Sequence, residues 1–305
     1  MRVQIRKIIC ATDFSDFSRN AVLYGVSLAK ELDAKVYVCH VIDVPFAGMY
    51  GEANPDPVEL HDRSMSYAYE HINGIIDSSS VDWEPLVTIG HTADEITRMA
   101  EDNGADLVVC GNHGRSGLKR LLLGSVTERL MRVLPCPLLV VKGPDYIKEK
   151  EKQPEGLIKK ILVGCDFSQY SSLAFKHAVS LAQEFEAELH LVHVVEPSVY
   201  KDYITPDREA SNQLKKDLHG QLREKLEKQI PEEARNWCVP KTTLMAGQPH
   251  EELTKYAVVN DIDLIALGAR GGGLVETLFV GSNTDRVIRQ SPCPVLSVRP
   301  TEDNS

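Results

Sequence analysis

Residues 6–45, RKIICATDFSDFSRNAVLYGVSLAKELDAKVYVCHVIDVP, return at residues 159–198 as KKILVGCDFSQYSSLAFKHAVSLAQEFEAELHLVHVVEPS. The two stretches align without a gap, with about fifteen identical positions, the mark of an internal duplication. Two later stretches repeat as well. GHTADEITRMAEDNGADLVVCGNHG at 90–114 matches GQPHEELTKYAVVNDIDLIALGARG at 247–271, and GSVTERLMRVLPCPLLVVK at 124–142 matches GSNTDRVIRQSPCPVLSVR at 281–299. A repeat of roughly 150 residues is a whole domain and not a solenoid unit.

Within each copy, short β-rich runs such as KIICAT, KVYVCHVI, WEPLVTI, ADLVVC and PLLVVK alternate with helical patterns. In SRNAVLYGVSLAKELD, for instance, Ala21, Val22, Gly25, Leu28 and Leu32 share a face. That order predicts an α/β fold: two tandem doubly wound domains, each with five parallel strands and about four helices on both faces of the sheet. The charged, Pro- and Gly-punctuated stretch KGPDYIKEKEKQPEGL reads as the connection. It sets a first domain at 1–145, a linker at 146–157 and a second domain at 158–305.

Composition sets outer bounds. With 43% hydrophobic and 26% charged residues the chain is an ordinary globular one. Its formal net charge of -10 argues against nucleic acid or an anionic membrane surface as the main partner. No apolar segment reaches the length of a membrane span, and the N-terminus runs straight into a strand pattern with no signal peptide. Seven cysteines form no C-x-x-C pair and sit in apolar runs, so they read as small buried hydrophobes in a reducing cytoplasm. No metal-ligand spacing is present among them.

The functional signal is a glycine pattern. Gly111, Gly114, Gly124 and Ser125 follow the fourth strand pattern, and Gly268, Gly271, Gly281 and Ser282 recur with the same spacing. It is neither a Walker loop nor the Rossmann G-x-G-x-x-G. The first strands end in Asp13 (ATDFS) and Asp166 (GCDFS), at the rim where open parallel sheets bind ligands. Either Asp could equally be a helix cap. The helix after Gly124 would turn unpaired N–H groups toward an anion.

ATDFS, the HV that closes the second strand, GNHGRSGLKRLLLGSVTERL and PCPLLVV together resemble the universal stress protein family in its nucleotide-binding branch, over nearly the whole of both copies. The resemblance implies a Rossmann-like, adenine nucleotide alpha hydrolase-like domain. It also implies a stress-response sensor that binds ATP or another adenine nucleotide as a regulatory ligand, with slow hydrolysis at most and Mg or Mn held only through the phosphates. By that resemblance Asp13 and Asp166 hold the adenosine end and the backbone of Val41 and Val194 meets adenine. The phosphates would be cradled by Gly111, Gly114, Gly124 and Ser125, and by Gly268, Gly271, Gly281 and Ser282. Other readings are an ATPase or nucleotidyl-transfer enzyme on the same fold, and a nucleotide-free interaction module.

His40 and His193 end the second strands in register and read as rim histidines satisfied by backbone. His113 lies inside the glycine loop, but its counterpart is Arg270, so no general base is common to both copies. The alternating apolar last strands predict an intramolecular pseudo-dimer through PCPLLVVK and PCPVLSVR, with a homodimer and a regulatory protein partner also expected. Finally, the stretch from Gly111 to Arg132 carries Arg115, Lys119, Arg120, Arg129 and Arg132 against Glu128. The stretch from Gly268 to Arg289 carries Arg270, Arg286 and Arg289 against Glu276 and Asp285. This asymmetry predicts that the first copy binds a polyanion more tightly.

Overall fold

A computed structural model describes residues 3–43, 57–76, 81–114, 123–143, 157–200, 208–236, 238–270 and 281–300. Two compact units span 4–153 and 154–305. The first contains β1 (Lys7–Ala11), α1 (Asp16–Leu32), β2 (Lys35–Ile42), α2 (Pro57–Asn73), β3 (Trp83–Ile89), α3 (Thr92–Asn103), β4 (Leu107–Gly111), α4 (Ser125–Val133) and β5 (Leu138–Val141). The second contains β6 (Lys160–Gly164), α5 (Gln169–Glu184), β7 (Glu188–Val195), α6 (Arg208–Glu227), β8 (Lys241–Ala246), α7 (Pro249–Val259), β9 (Leu264–Gly268), α8 (Ser282–Gln290) and β10 (Val295–Val298). The expected α/β architecture is present in both.

Each sheet is parallel. In the first unit the strand order is β3-β2-β1-β4-β5, with Ala11 opposite Cys39 and Cys10 opposite Val109. The second unit repeats it as β8-β7-β6-β9-β10. The chain leaves β1 toward one edge and returns to β4 on the other side, so the order reverses between β1 and β4, and again between β6 and β9. Ligands of open α/β sheets sit in the crevice beyond such a reversal. The outer strand β3 is only half-buried and tolerates Pro85, whose missing N–H would break a central ladder.

Helix α1 shows how the local sequence sets this frame. Ser15 caps it by accepting from the Ser18 N–H, and Asp33 ends it in the left-handed region at φ 51°. Ala21, Val22, Gly25 and Leu28 lie on its buried face as the spacing predicts, while Leu32 is half-buried at the last turn. Gly25 packs directly on the Cys10 sulfur, so any side chain there would collide with the sheet.

The cysteines behave as apolar core. Cys10, Cys39, Cys110, Cys136, Cys165 and Cys293 are buried, and only Cys238 is partly accessible. Burial raises the thiol of Cys10, and pushes those of Cys39, Cys110 and Cys136 up to about 12, which removes the reactive thiolate at neutral pH. A thiol-specific disulfide reagent added to the native chain is therefore expected to titrate Cys238 alone, and the Cys238→Ser variant none until denaturant is added. Rapid labelling of further thiols in the native state would show the core to be open.

Candidate functional site

The carboxyl end of β1 is organised around one side chain. Beyond Ala11 the chain turns at Phe14, whose φ of 64° is unusual for a bulky residue, and Phe167 repeats it at 63°. The turn is held by short-range bonds. Thr12 Oγ1 accepts from the Phe14 N–H at 3.0 Å, Asp13 Oδ1 from the Ser15 N–H at 3.0 Å, and the same oxygen from the Ser15 hydroxyl at 2.6 Å. Asp166 Oδ1 likewise accepts from the Ser168 N–H at 3.0 Å. The helix caps are thus Ser15 and Ser168, and each Asp braces the cap serine from one step outside.

The second strands run past the ends of the first. Cys39 gives its carbonyl to the Thr12 N–H at 2.9 Å, the last rung of that ladder. Two residues on, Val41 turns the same backbone edge toward the space beyond β1, because successive residues of a strand alternate direction. In the second unit Val192 accepts from the Cys165 N–H at 2.8 Å, and Val194 stands as Val41 does. Between these residues His40 Nδ1–H donates to the Thr12 carbonyl at 2.8 Å, and His193 Nδ1–H to the Cys165 carbonyl at 2.6 Å. Both are the backbone-satisfied rim histidines that their positions suggested. Burial holds His193 below the usual histidine range, with the Cys165 carbonyl pulling it partway back, so it is neutral at physiological pH.

Across the crevice stand the glycines. Gly111 and Gly268 are the last residues of β4 and β9, one step earlier than a loop assignment would put them. A carbon added at Gly111 would lie 3.2 Å from the Phe17 backbone, and one at Gly268 would lie 2.8 Å from the Tyr170 backbone. Glycine is needed at Gly268, and fits tightly at Gly111, because the first turn of α5 or α1 passes directly over the strand end. A carbon added at Gly114 would lie 2.5 Å from Asp13 Oδ2, so this glycine sits against the carboxylate whose other oxygen Ser15 pins.

Gly124 differs. A carbon added there meets nothing closer than 3.6 Å, an ordinary contact, so the packing does not demand glycine. It is the N-cap of α4, with no side chain capping the helix, and Gly281 is the equally uncapped N-cap of α8. Both helices are anchored alike: Thr127 donates to the Gly111 carbonyl at 2.9 Å and Thr284 to the Gly268 carbonyl at 2.8 Å. Ser125 and Ser282 open the two helices, where unpaired N–H groups and the helix dipole favour an anion.

The family model for the universal stress protein family matches residues 4–142 and again 157–299. The chain belongs to that family. A universal stress protein of Methanocaldococcus jannaschii, MJ0531, is 39% identical over 141 residues, which is 46% of this chain and 83% of the relative. One from Mycolicibacterium smegmatis is 25% identical over 297 residues, covering 96% of this chain and 97% of its own. The crystal structure of a universal stress protein from Archaeoglobus fulgidus shares the fold at a TM-score of 0.68 and 23% identity, covering 96% of this chain and 98% of that one.

In this universal stress protein, then, the sequence-predicted residues Asp13, Gly111, Gly114, Gly124 and Ser125 converge on the β1–β4 reversal, with Val41 beside it. Asp166, Val194, Gly268, Gly281 and Ser282 take the same places in the second unit, and Gly271 lies outside the described residues. Sequence reasoning missed Thr12, Ser18, Phe14 and Phe167; for the two phenylalanines the identical DFS of both copies was the available signal. Thr12 and Ser18 share a buried hydroxyl pair at 3.1 Å. The phenyl rings of Phe14 and Phe167 pack on His40 and His193 at 4.2 and 4.5 Å.

The charge comparison also changes. Of the cations counted for the first copy, Arg115, Lys119 and Arg120 lie outside the described residues. Arg129 pairs with Asp94 at 2.7 Å and Arg132 with Glu128, so neither charge is directed at the crevice alone. In the second copy Arg289 pairs with Asp285 at 2.8 Å.

The glycines give a test. Gly268→Ala forces a shift of the Tyr170 backbone and is expected to cost about 1–3 kcal/mol of stability, as overpacking does, with a smaller loss for Gly111→Ala. Gly124→Ala should leave the melting temperature within a few degrees of the parent. Thermal unfolding checks this, and a Gly124→Ala loss as large as that of Gly268→Ala would mean the cap glycine is structural.

Proposed function

We propose that each domain binds an adenine nucleotide across the strand-order reversal and that the protein uses it as a regulatory ligand in a stress response, in the cytoplasm. One observation carries the reading. The first domain sets a glycine N-cap that packing does not explain at the strand-order reversal, where β1 ends in a carboxylate, and the second domain repeats the uncapped glycine N-cap and the carboxylate. Phosphates would take the N–H groups at Gly124–Ser125 and Gly281–Ser282, with Gly114 and Gly271 allowing close approach. Asp13 Oδ2 and its counterpart on Asp166 would accept from ribose hydroxyls, and the Val41 and Val194 backbone would meet the adenine edge.

A divalent Mg or Mn would be held through the phosphates. Among the described residues no group of three or more His, Cys, Asp or Glu is arranged to hold a metal ion. Hydrolysis would be slow, since His113 and Arg270 occupy equivalent places and supply no common base. Among the described residues no helix is long and apolar enough to cross a membrane, which fits a nucleotide sensor acting in solution.

The experiment is nucleotide extraction from the purified chain, followed by calorimetric titration of ATP into the parent and Asp13 variants. Asp13→Ala is expected to weaken the first site by about ten- to a hundredfold, the worth of one charge-assisted hydrogen bond. It should also cost about 1 kcal/mol of stability through the lost brace on Ser15. Asp13→Asn keeps an acceptor for the Ser15 N–H and should melt like the parent yet still bind weakly. Parent-like binding by Asp13→Ala together with a large melting loss would make Asp13 structural and defeat the assignment.

A further inference from the structure

The two domains differ at a buried polar cluster on the second strand. In the second domain His190 of β7 is 2% exposed, and both of its ring nitrogens are engaged. Nδ1 lies 3.0 Å from the Tyr256 hydroxyl of α7, Nε2 lies 3.3 Å from Glu188 Oε2, and the Tyr256 ring stands edge-on to the imidazole at 5.8 Å. The Thr243 hydroxyl of β8 lies 3.3 Å from the same Tyr256 oxygen. Further along β7 comes Val194, so the cluster sits on the strand that borders the candidate site.

With a neutral ring the bonds run in one direction. The Thr243 hydroxyl donates to Tyr256, the Tyr256 hydroxyl donates to Nδ1, and the Nε2–H donates to Glu188. A proton on Nδ1 turns both hydroxyls around and leaves a cation in the core. Glu188 is already committed elsewhere: Lys241 of β8 holds the same Oε2 at 2.5 Å, and Lys160 of β6 lies opposite Glu188 in the register. Burial holds His190 below the usual histidine range, the bond to Glu188 pulls it partway back, and the charges of Lys241 and Lys160 oppose that pull. The first domain has no histidine at this place. Tyr37, Leu86 and Met99 take the positions of His190, Thr243 and Tyr256, and the ion pair is kept with its charges exchanged, Lys35 of β2 against Glu84 of β3 at 2.6 Å.

We propose that His190, Tyr256 and Glu188 form a proton-operated latch between β7 and α7, so that mild acid loosens the second domain and leaves the first closed. The sign follows from burial. In the closed form the ring favours its neutral state, whereas parting α7 from β7 hydrates it and restores its ordinary affinity for a proton. The open form therefore gains on the closed one as pH falls through about 6.5, and the gain levels off once the closed form is protonated too. The latch goes beyond the nucleotide reading and stands without it.

The test is amide hydrogen exchange of the full chain at about pH 7.5 and about pH 5, with rates corrected for the intrinsic pH dependence of exchange. Opening of α7 is expected to rise about threefold or more on acidification, against less than about twofold for α3, its counterpart in the first domain. His190→Gln, whose amide serves both Tyr256 and Glu188 without taking a proton, is expected to abolish the rise. Where that variant melts well below the parent, the first domain's own set, His190→Tyr with Thr243→Leu and Tyr256→Met, takes its place, with the same outcome expected. His250→Gln, which removes the histidine of α7 itself, is expected to retain the rise. No rise in the parent, an equal rise in α3, a rise that survives in the folded His190 variant, or one that His250→Gln abolishes overturns the latch.

Discussion

The close passage of a helix over a strand end governs this architecture. The first turn of α1 lies close on Gly111, and that of α5 lies on Gly268 with too little room for a side chain. That contact fixes where each helix begins, and so where the chain must turn after the first strand. The turn in turn sets the left-handed backbone at Phe14 and Phe167 and the orientation of the Asp13 and Asp166 carboxylates. A larger residue at Gly268 would push on the first turn of α5, and with it on the turn that carries the Asp166 carboxylate.

Energetically the rim is a balance between strain and local hydrogen bonding. A bulky residue at positive φ costs on the order of 1–3 kcal/mol and persists only where its surroundings over-determine it. Here they do so through the Thr12, Asp13, Ser15 and Ser18 bonds and through the ring contacts to His40 and His193. The same groups leave one oxygen of Asp13 facing Gly114. A carboxylate held by a network of this kind is pre-oriented, and pre-orientation lowers the entropic cost of meeting a ligand.

The duplication lets the two rims differ while the two cores stay alike. The core of each copy repeats because burial dictates it: Ile8 and Ile161, Ala21 and Ala174, and Leu107 and Leu264 are all buried. Parts of the rim are less constrained, since side chains such as Tyr67 and Lys225 stand outside the core. His71 of α2 lies 5.4 Å from the Phe14 ring, whereas Lys225 of α6 places its ammonium 4.2 Å from the centre of the Phe167 ring.

The sequence alone determined the duplication, the strand-helix alternation and the candidate residues, because burial enforces periodicity and because Gly and Asp are restricted to particular backbone settings. It also placed His40 and His193 correctly as backbone-satisfied. It could not separate Gly268, which packing requires, from Gly124, which packing does not, since both are simply glycines at a loop boundary. Nor could it show that Asp13 braces a cap serine, or that Arg129 and Arg132 pair with Asp94 and Glu128. Those facts depend on distances between residues far apart in the chain, or on which way a side chain turns. The folded chain decided them: a tight turn after β1 sets Asp13 on Ser15, and the packing of α3 against α4 brings Asp94 to Arg129.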